Sequence, residues 1–261
     1  MDINQERINS ISRDLNTTYL KKFIRGFEII GMENLKKLKD KQILYLPNHL
    51  SLFDFVIIPK ILNDYKLKHP ATIAGSNLNH WPLNKLIEEE TGAIFINRKT
   101  MKEEGISKKK KEEILKLNSK LEEVVSKEHN LMSFVESGRS YNGKIMERGD
   151  SGVLNRYLKI SKKQNKEPYG CNIAIKYEPN TIENPCLWFA SFFKNKFEPL
   201  YFFTDIYAFG KDYLSKIEKK PFVKINFGEP YPLEEFIKKR DHEGLLRFVQ
   251  EDVKRLYNQI S

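Results

Sequence analysis

The stretch Asn48-His49-Leu50-Ser51-Leu52-Phe53-Asp54 sets a histidine and an aspartate five positions apart. A carboxylate bonded to one imidazole nitrogen fixes the tautomer and raises the basicity of the other, which can then take a proton from a hydroxyl as it attacks a carbonyl. Five helical positions turn about 500°, leaving two side chains about 140° apart, so His49 must precede the helix if the pair is to meet. With Ser51 as N-cap, Asp54 stands at the third helical position and its carboxylate points back toward the loop. The same residues have a second use. Ser51 and Asp54 match the S-x-x-D capping signature, in which Asp54 serves only the helix and His49 is an incidental loop residue. The motif by itself leaves both open.

Two other stretches could hold an anion. Gly92 to Arg98 (GAIFINR) delivers Arg98 at the end of an apolar strand, and a guanidinium offers a planar fork of donors suited to phosphate oxygens. Phe134 to Ser140 (FVESGRS) ends a strand in a turn where Gly138, Arg139 and Ser140 could present backbone N–H groups, a guanidinium and a hydroxyl. Each is equally an ordinary strand end or tight turn with a surface arginine. Gly138 to Lys144 has the phosphate-loop spacing, but Ile145 stands where the Mg²⁺-binding Ser or Thr belongs, and Gly149 and Gly152 interrupt the long helix that should follow. G-x-S-x-G and H-E-x-x-H are missing from the sequence. His69, His80, His129 and His242 form no ligand spacing, and Cys171 and Cys186 lie far from any C-x-x-C, so no metal site is expected and both thiols read as reduced core residues.

These groups need elements to hold them. Apolar runs predict strands at Phe27 to Ile30, Ile43 to Leu46, Thr72 to Ala74, Ala93 to Ile96, Leu131 to Val135, Asn172 to Tyr177 and Phe222 to Phe227. Helical patterns start near Ser51 and occupy Ser107 to Lys127 and Leu233 to Ile260. Alternating strands and helices imply an α/β fold, a single domain with a mostly parallel central sheet flanked by helices. His49 then falls on a strand-to-helix connection, where such folds place ligand sites. Ahead of it, Arg13 to Phe27 reads as a basic amphipathic helix that packs on the domain or lies on a membrane surface. The division is therefore an N-terminal helical segment, 1–26, and a domain, 27–261. The aromatic segment Thr181 to Tyr207 reads as core packing, or as a lining for an acyl chain or a lipid-facing surface.

A formal charge of +10 attracts anionic partners, among them nucleic acid, an anionic membrane, phosphates and acidic carrier proteins. The dense block Lys108 to Lys111 runs straight into Glu112 and Glu113 and reads as a solvated helix start rather than a nucleic-acid patch. Met1 to Asp14 is polar and contains acidic residues, unlike a signal or transit peptide, so a cytoplasmic location is expected. The best apolar stretch, Phe53 to Leu62, falls well short of the roughly 18 to 20 residues that cross a bilayer. Work on lipids would be done from the membrane surface.

Taken in order, the three blocks resemble the glycerophospholipid acyltransferase superfamily, which includes glycerol-3-phosphate and lysophosphatidate acyltransferases. Asn48, His49 and Asp54 match its N-H-x-x-x-x-D. Gly92, Phe95, Ile96 and Arg98 match G-x-x-F-I-x-R, and Phe134, Glu136, Arg139 and Ser140 match F-x-E-G-x-R-S. FEIIGMENL before the histidine and the late FGEPYPL are also similar, so the resemblance runs from about Phe27 to Phe236. It favours catalysis over simple capping at Asp54.

The resemblance implies a glycerol-3-phosphate acyltransferase-like fold with His49 and Asp54 as a catalytic dyad. It puts Arg98, Gly138, Arg139 and Ser140 at the acceptor phosphate, with Asn48 and Glu136 in support; Glu136 would fix the arginine-bearing turn or bind an acceptor hydroxyl. The implied partners are an acyl thioester donor, acyl-CoA or acyl carrier protein as co-substrate, and a phosphate-bearing glycerol or lyso-lipid acceptor at an anionic membrane surface. No cofactor, metal, covalent intermediate or nucleic acid is implied. Two departures bear on the acceptor: Ser137 follows Glu136 where the family has glycine, and Asn172 to Ile175 lacks the family's proline, although Tyr177-Glu178 again resembles the glycerol-3-phosphate branch. The rival expectations are acylation of another lyso-lipid or glycolipid, and a non-catalytic basic protein that binds membranes or nucleic acid.

Overall fold

Strand-forming runs rich in Ile, Leu, Phe and Ala alternate with amphipathic helices along the chain, and a computed structural model shows how they assemble. It describes residues 24–51, 53–76, 92–136, 138–140, 144–179 and 220–260. The aromatic segment Thr181 to Tyr207, His80, Cys186 and the first 23 residues lie outside the described residues.

The strands are β1 (Gly26–Ile30), β2 (Ile43–Pro47), β3 (Ala71–Gly75), β4 (Ala93–Ile96), β5 (Leu131–Met132), β6 (Tyr169–Glu178), β7 (Phe222–Phe227) and β8 (Tyr231–Pro232). The helices are α1 (Met32–Lys36), α2 (Asp54–Asp64), α3 (Arg98–Lys102), α4 (Lys108–Ser126), α5 (Gly152–Lys163), α6 (Glu234–Lys239) and α7 (His242–Gln259). One sheet runs in the order β1-β7-β6-β2-β5-β3-β4, with β8 pairing to β6. Its ladders are parallel except where β6 meets β7 and β8. The expected mostly parallel α/β fold is the observed one.

Every residue of β2, β3 and β4 is buried, as strands covered on both faces must be. On one face, Phe55 of α2 packs on Ala74, Ala93 and Phe95. Strand alternation sends Ile73 and Ile96 to the other face, where Met101 of α3, Leu117 of α4 and Val153 of α5 close over them. Leu117, Leu121, Val124 and Val125 give α4 its buried stripe, and the Ser107 hydroxyl caps it by accepting the Lys110 N–H. The Lys108 to Lys111 block is that helix's first turn and is largely solvated.

Several boundaries differ from expectation. Gly26 and Phe27 are strand, so the predicted Arg13 to Phe27 helix does not reach its expected end; the partner strand β7 claims their backbone. Strand β5 is only two residues long. Beyond Met132, Ser133 N–H still donates to Tyr45 O at 3.0 Å, but Val135 O then accepts from Asp150 N–H at 2.7 Å and the chain leaves the sheet. Helix α5 was not foreseen, because Gly149 and Gly152 looked like interruptions; Gly152 instead opens the helix, with its N–H donated to Asp150 Oδ1. Arg240, at φ 55°, splits the predicted Leu233 to Ile260 helix, and Asp241 caps the second half through Gly244 N–H.

Candidate active site

His49 lies two residues beyond the end of β2, and the neighbouring strands supply what surrounds it. Strand β6 is on one side of β2 and β5 on the other. From β6, the Ile175 backbone holds Asn48: Ile175 N–H donates to Asn48 Oδ1 at 2.7 Å, and Asn48 Nδ2 donates to Ile175 O at 3.0 Å. This two-way clamp, fully buried, fixes where the histidine loop begins. From the β5 side, Glu136 Oε2 accepts the His49 N–H at 2.6 Å, and its Oε1 accepts Met146 N–H at 2.6 Å. His49 O in turn accepts Ser140 N–H at 2.8 Å.

Asp54 is fully buried and makes the connection that the spacing predicted. Its Oδ2 lies 3.0 Å from His49 Nδ1 and accepts the N–H groups of Leu50 at 2.8 Å and Ser51 at 2.9 Å. Its Oδ1 accepts the Tyr177 hydroxyl at 2.7 Å. Helix α2 begins at Asp54 rather than near Ser51, with Phe53 at the N-cap, because the Asp54 carboxylate has engaged the Leu50 and Ser51 N–H groups. Ser51 accordingly is not the N-cap of α2: its Oγ accepts Phe53 N–H at 3.1 Å. The Asp54 carboxylate thus binds the histidine and braces the loop ahead of α2, while the helix itself has no side-chain cap.

With Nδ1 directed at Asp54, the proton belongs there and Nε2 is the basic nitrogen, bonded to no described residue. The imidazole is gripped by Phe134, its ring centroid 4.2 Å away, and by Phe55 edge-on at 5.2 Å. Burial holds the His49 pKa below the ordinary histidine value; Asp54 pulls it back up, and the charges of Arg139 and Arg98 push it down again. The imidazole is therefore neutral, and able to accept a proton, at neutral pH. Both arginines expected beside the histidine are close enough for their charge to be felt there.

Arg98 opens α3, whose N-cap Asn97 accepts Thr100 N–H at 3.1 Å. Gly138, Arg139 and Ser140 are half-buried on the turn after Glu136. A Cβ at Gly138 would meet open space, so the fold itself does not demand glycine there. Ser140 donates its N–H to His49 O and its hydroxyl to Lys144 O, which braces the loop. Glu136 spends both oxygens on backbone N–H groups, those of His49 and Met146. Among the described residues, no group of three or more His, Cys, Asp or Glu could hold a metal ion.

The sequence profile of the acyltransferase family, described as Acyltransferase, matches residues 26–159, more than half of the chain. The chain belongs to the acyltransferase family. Curated relatives include the glycerol-3-phosphate acyltransferase of Aeromonas hydrophila, 28% identical over 127 residues, which is 48% of this chain and 15% of that protein. The enzyme of the same description from Haemophilus influenzae is 26% identical over 147 residues, 56% of this chain and 17% of that protein. The matched part is thus under a fifth of the length of those relatives. Among solved structures, the 1-acyl-sn-glycerophosphate (LPA) acyltransferase of Thermotoga maritima has the same fold, with a TM-score of 0.56 at 16% identity over 98% of this chain and 79% of that one.

Within this site, Tyr177 and the backbone of Ile175 are the residues that sequence reasoning missed. Tyr177 lies 123 positions from Asp54, and only the β2–β6 pairing brings them together. Behind Phe134 is a cavity of about 190 Å³, walled by Ile73, Ile96, Leu117 and Val153, with Arg98 and Arg156 in its lining.

Proposed function

We propose that this acyltransferase moves a fatty acyl group from the thioester of acyl-CoA or acyl carrier protein to a hydroxyl of glycerol-3-phosphate or 1-acylglycerol-3-phosphate, as a step of phospholipid synthesis. The observation that carries the reading is His49 Nδ1 bonded to buried Asp54 while Nε2 is bonded to no described residue, with the charges of Arg98 and Arg139 close by. Named relatives support the acceptor: glycerol-3-phosphate acyltransferases by sequence and an LPA acyltransferase by fold.

In this mechanism Nε2 takes the proton of the acceptor hydroxyl while its oxygen attacks the thioester carbon. The carbonyl becomes a tetrahedral oxyanion, which collapses to the ester and breaks the carbon–sulfur bond. The imidazolium proton passes to the departing thiolate, so His49 is neutral again after each turnover and no metal or cofactor enters. Asp54 stabilises the imidazolium. Arg98 and Arg139 hold the acceptor phosphate beside His49, with the backbone near Gly138 approached closely, and much of the rate comes from this positioning. The apolar cavity with Arg98 in its lining gives hydrocarbon a place beside a cation, as an amphiphilic substrate requires. Among the described residues no helix is long and apolar enough to cross a membrane. The reading places the protein on the anionic cytoplasmic face of a membrane, held there from outside the bilayer.

The test is mass spectrometry of products from a mixed pool of acyl thioesters and acceptors: glycerol-3-phosphate, lysophosphatidate, other lyso-lipids and a glycolipid precursor. Ester on a glycerol phosphate is expected. Ester found only on a phosphate-free acceptor would overturn the acceptor assignment, and no ester from any pair would overturn the activity. Arg98→Ala or Arg139→Ala should raise KM for the acceptor by about 10- to 100-fold, the worth of a charge-assisted hydrogen bond.

A further inference from the structure

Resting on the reading of His49 as general base, we propose that Tyr177 is a positioning residue whose hydroxyl, acting through Asp54, sets how strongly His49 Nε2 takes a proton. The two oxygens of Asp54 divide their work. Oδ2 receives the loop N–H groups of Leu50 and Ser51 together with His49 Nδ1, whereas Oδ1 receives the Tyr177 hydroxyl. Asp54 is fully buried and Tyr177 is buried as well, so water does not replace a lost donor at full strength. A hydroxyl donated to a carboxylate takes up part of its negative charge. What Tyr177 takes up is unavailable to the imidazolium on the opposite oxygen.

The placement is built into the sheet rather than into a loop. Tyr177 is near the C-terminal end of β6, the strand beside β2, and faces Asp54 at the first turn of α2. The other charged groups around the imidazole come from different elements: Glu136 from the segment after β5, Arg98 from the start of α3, and Arg139 from the turn after Glu136. Tyr177 differs from these in donating its hydroxyl directly to the Asp54 carboxylate. Its loss leaves the other charges in place.

Removing the hydroxyl should leave more of the Asp54 charge for His49, whose proton affinity then rises. The experiment is a ¹⁵N-histidine NMR titration of the full chain, with the His49 signals identified by their loss in His49→Ala. In Tyr177→Phe the His49 midpoint should rise by about 0.5 to 1 pH unit, and the acid limb of the kcat profile should move by the same amount. In an Asp54→Asn background the same change should leave His49 unmoved. Replacing Tyr177 alone with 3-fluorotyrosine, a stronger donor of almost the same shape, should lower the midpoint. A midpoint that stays still or falls in Tyr177→Phe overturns the proposal, even with a lower Tm, as does a shift that persists in Asp54→Asn. Because the titration is read without turnover, absence of acyl transfer in the unaltered protein would count against the proposed function and not against this role for Tyr177.

Discussion

Asp54 shows how a short motif carries two functions with one side chain. Its carboxylate ties down the N–H groups just ahead of α2 and, with the same oxygen, orients His49. The spacing made this geometry legible, because an aspartate opening a helix faces back into the preceding loop. Tyr177 and the backbone donors to Glu136 were not legible, since each depends on which strands become neighbours. Glu136 holds the histidine loop through two such donors. Its two oxygens accept only N–H donors, so Glu136→Gln must turn an NH2 group against one of them. We expect a loss of about 1 to 3 kcal/mol in urea unfolding at pH 7.5, together with weakened activity as the His49 loop loosens. Burial also pushes the Glu136 pKa up to about 7, only partly offset by the Met146 and His49 N–H groups. For a carboxyl raised in this way, the stability it contributes is present below its unfolded value and is lost as pH rises through about 7.

At the scale of elements, the site is a consequence of strand order. Strand β2 ends in the histidine loop, and its two neighbours reach over that loop, β6 through Ile175 and Tyr177 and the β5 segment through Glu136. The strand positions and the mostly parallel sheet could be read from apolar runs, but the order could not, because similar buried runs fit any neighbour. Helix α5 was hidden for a related reason: glycine was read as a breaker where it begins the helix. The join between β2 and β6 depends on Asn48, whose amide satisfies both backbone groups of Ile175. Asn48→Ala leaves an N–H and a C=O buried without partners, at about 1 to 3 kcal/mol each for groups that cannot relax toward water. Chemical denaturation should show a loss of about 2 to 6 kcal/mol, and the variant's residual activity should fall through kcat rather than KM. Wild-type stability in this variant would show that the clamp does not hold the loop.

Across the whole molecule, the two ends of the sheet answer to pH differently. His69 lies just before β3, at the end opposite to His49, and is buried, with no hydrogen-bond partner for Nδ1 among the described residues. Burial lowers its pKa to about 4, so the folded protein keeps the ring neutral where the unfolded chain would take up a proton. Its contribution to stability is intact above about 6.5 and is lost as pH falls toward 4, amounting to about 3 kcal/mol. Denaturation curves between pH 6.5 and 4 should therefore be flatter for His69→Leu than for the unaltered protein, and equal slopes would refute the assignment. The positive charge of the chain was legible at once but identified no partner by itself; the order of its three motifs did more, since a basic surface serves many proteins. The central claim is that His49 Nε2 removes the acceptor's proton. Its most direct test is the rate of ester formation from a labelled acyl thioester and glycerol-3-phosphate or lysophosphatidate, compared between the unaltered chain and His49→Ala. The account predicts that transfer falls at least about 100-fold, the lower range for loss of a general base, with the fold intact by circular dichroism. Transfer at an undiminished rate in His49→Ala would contradict it.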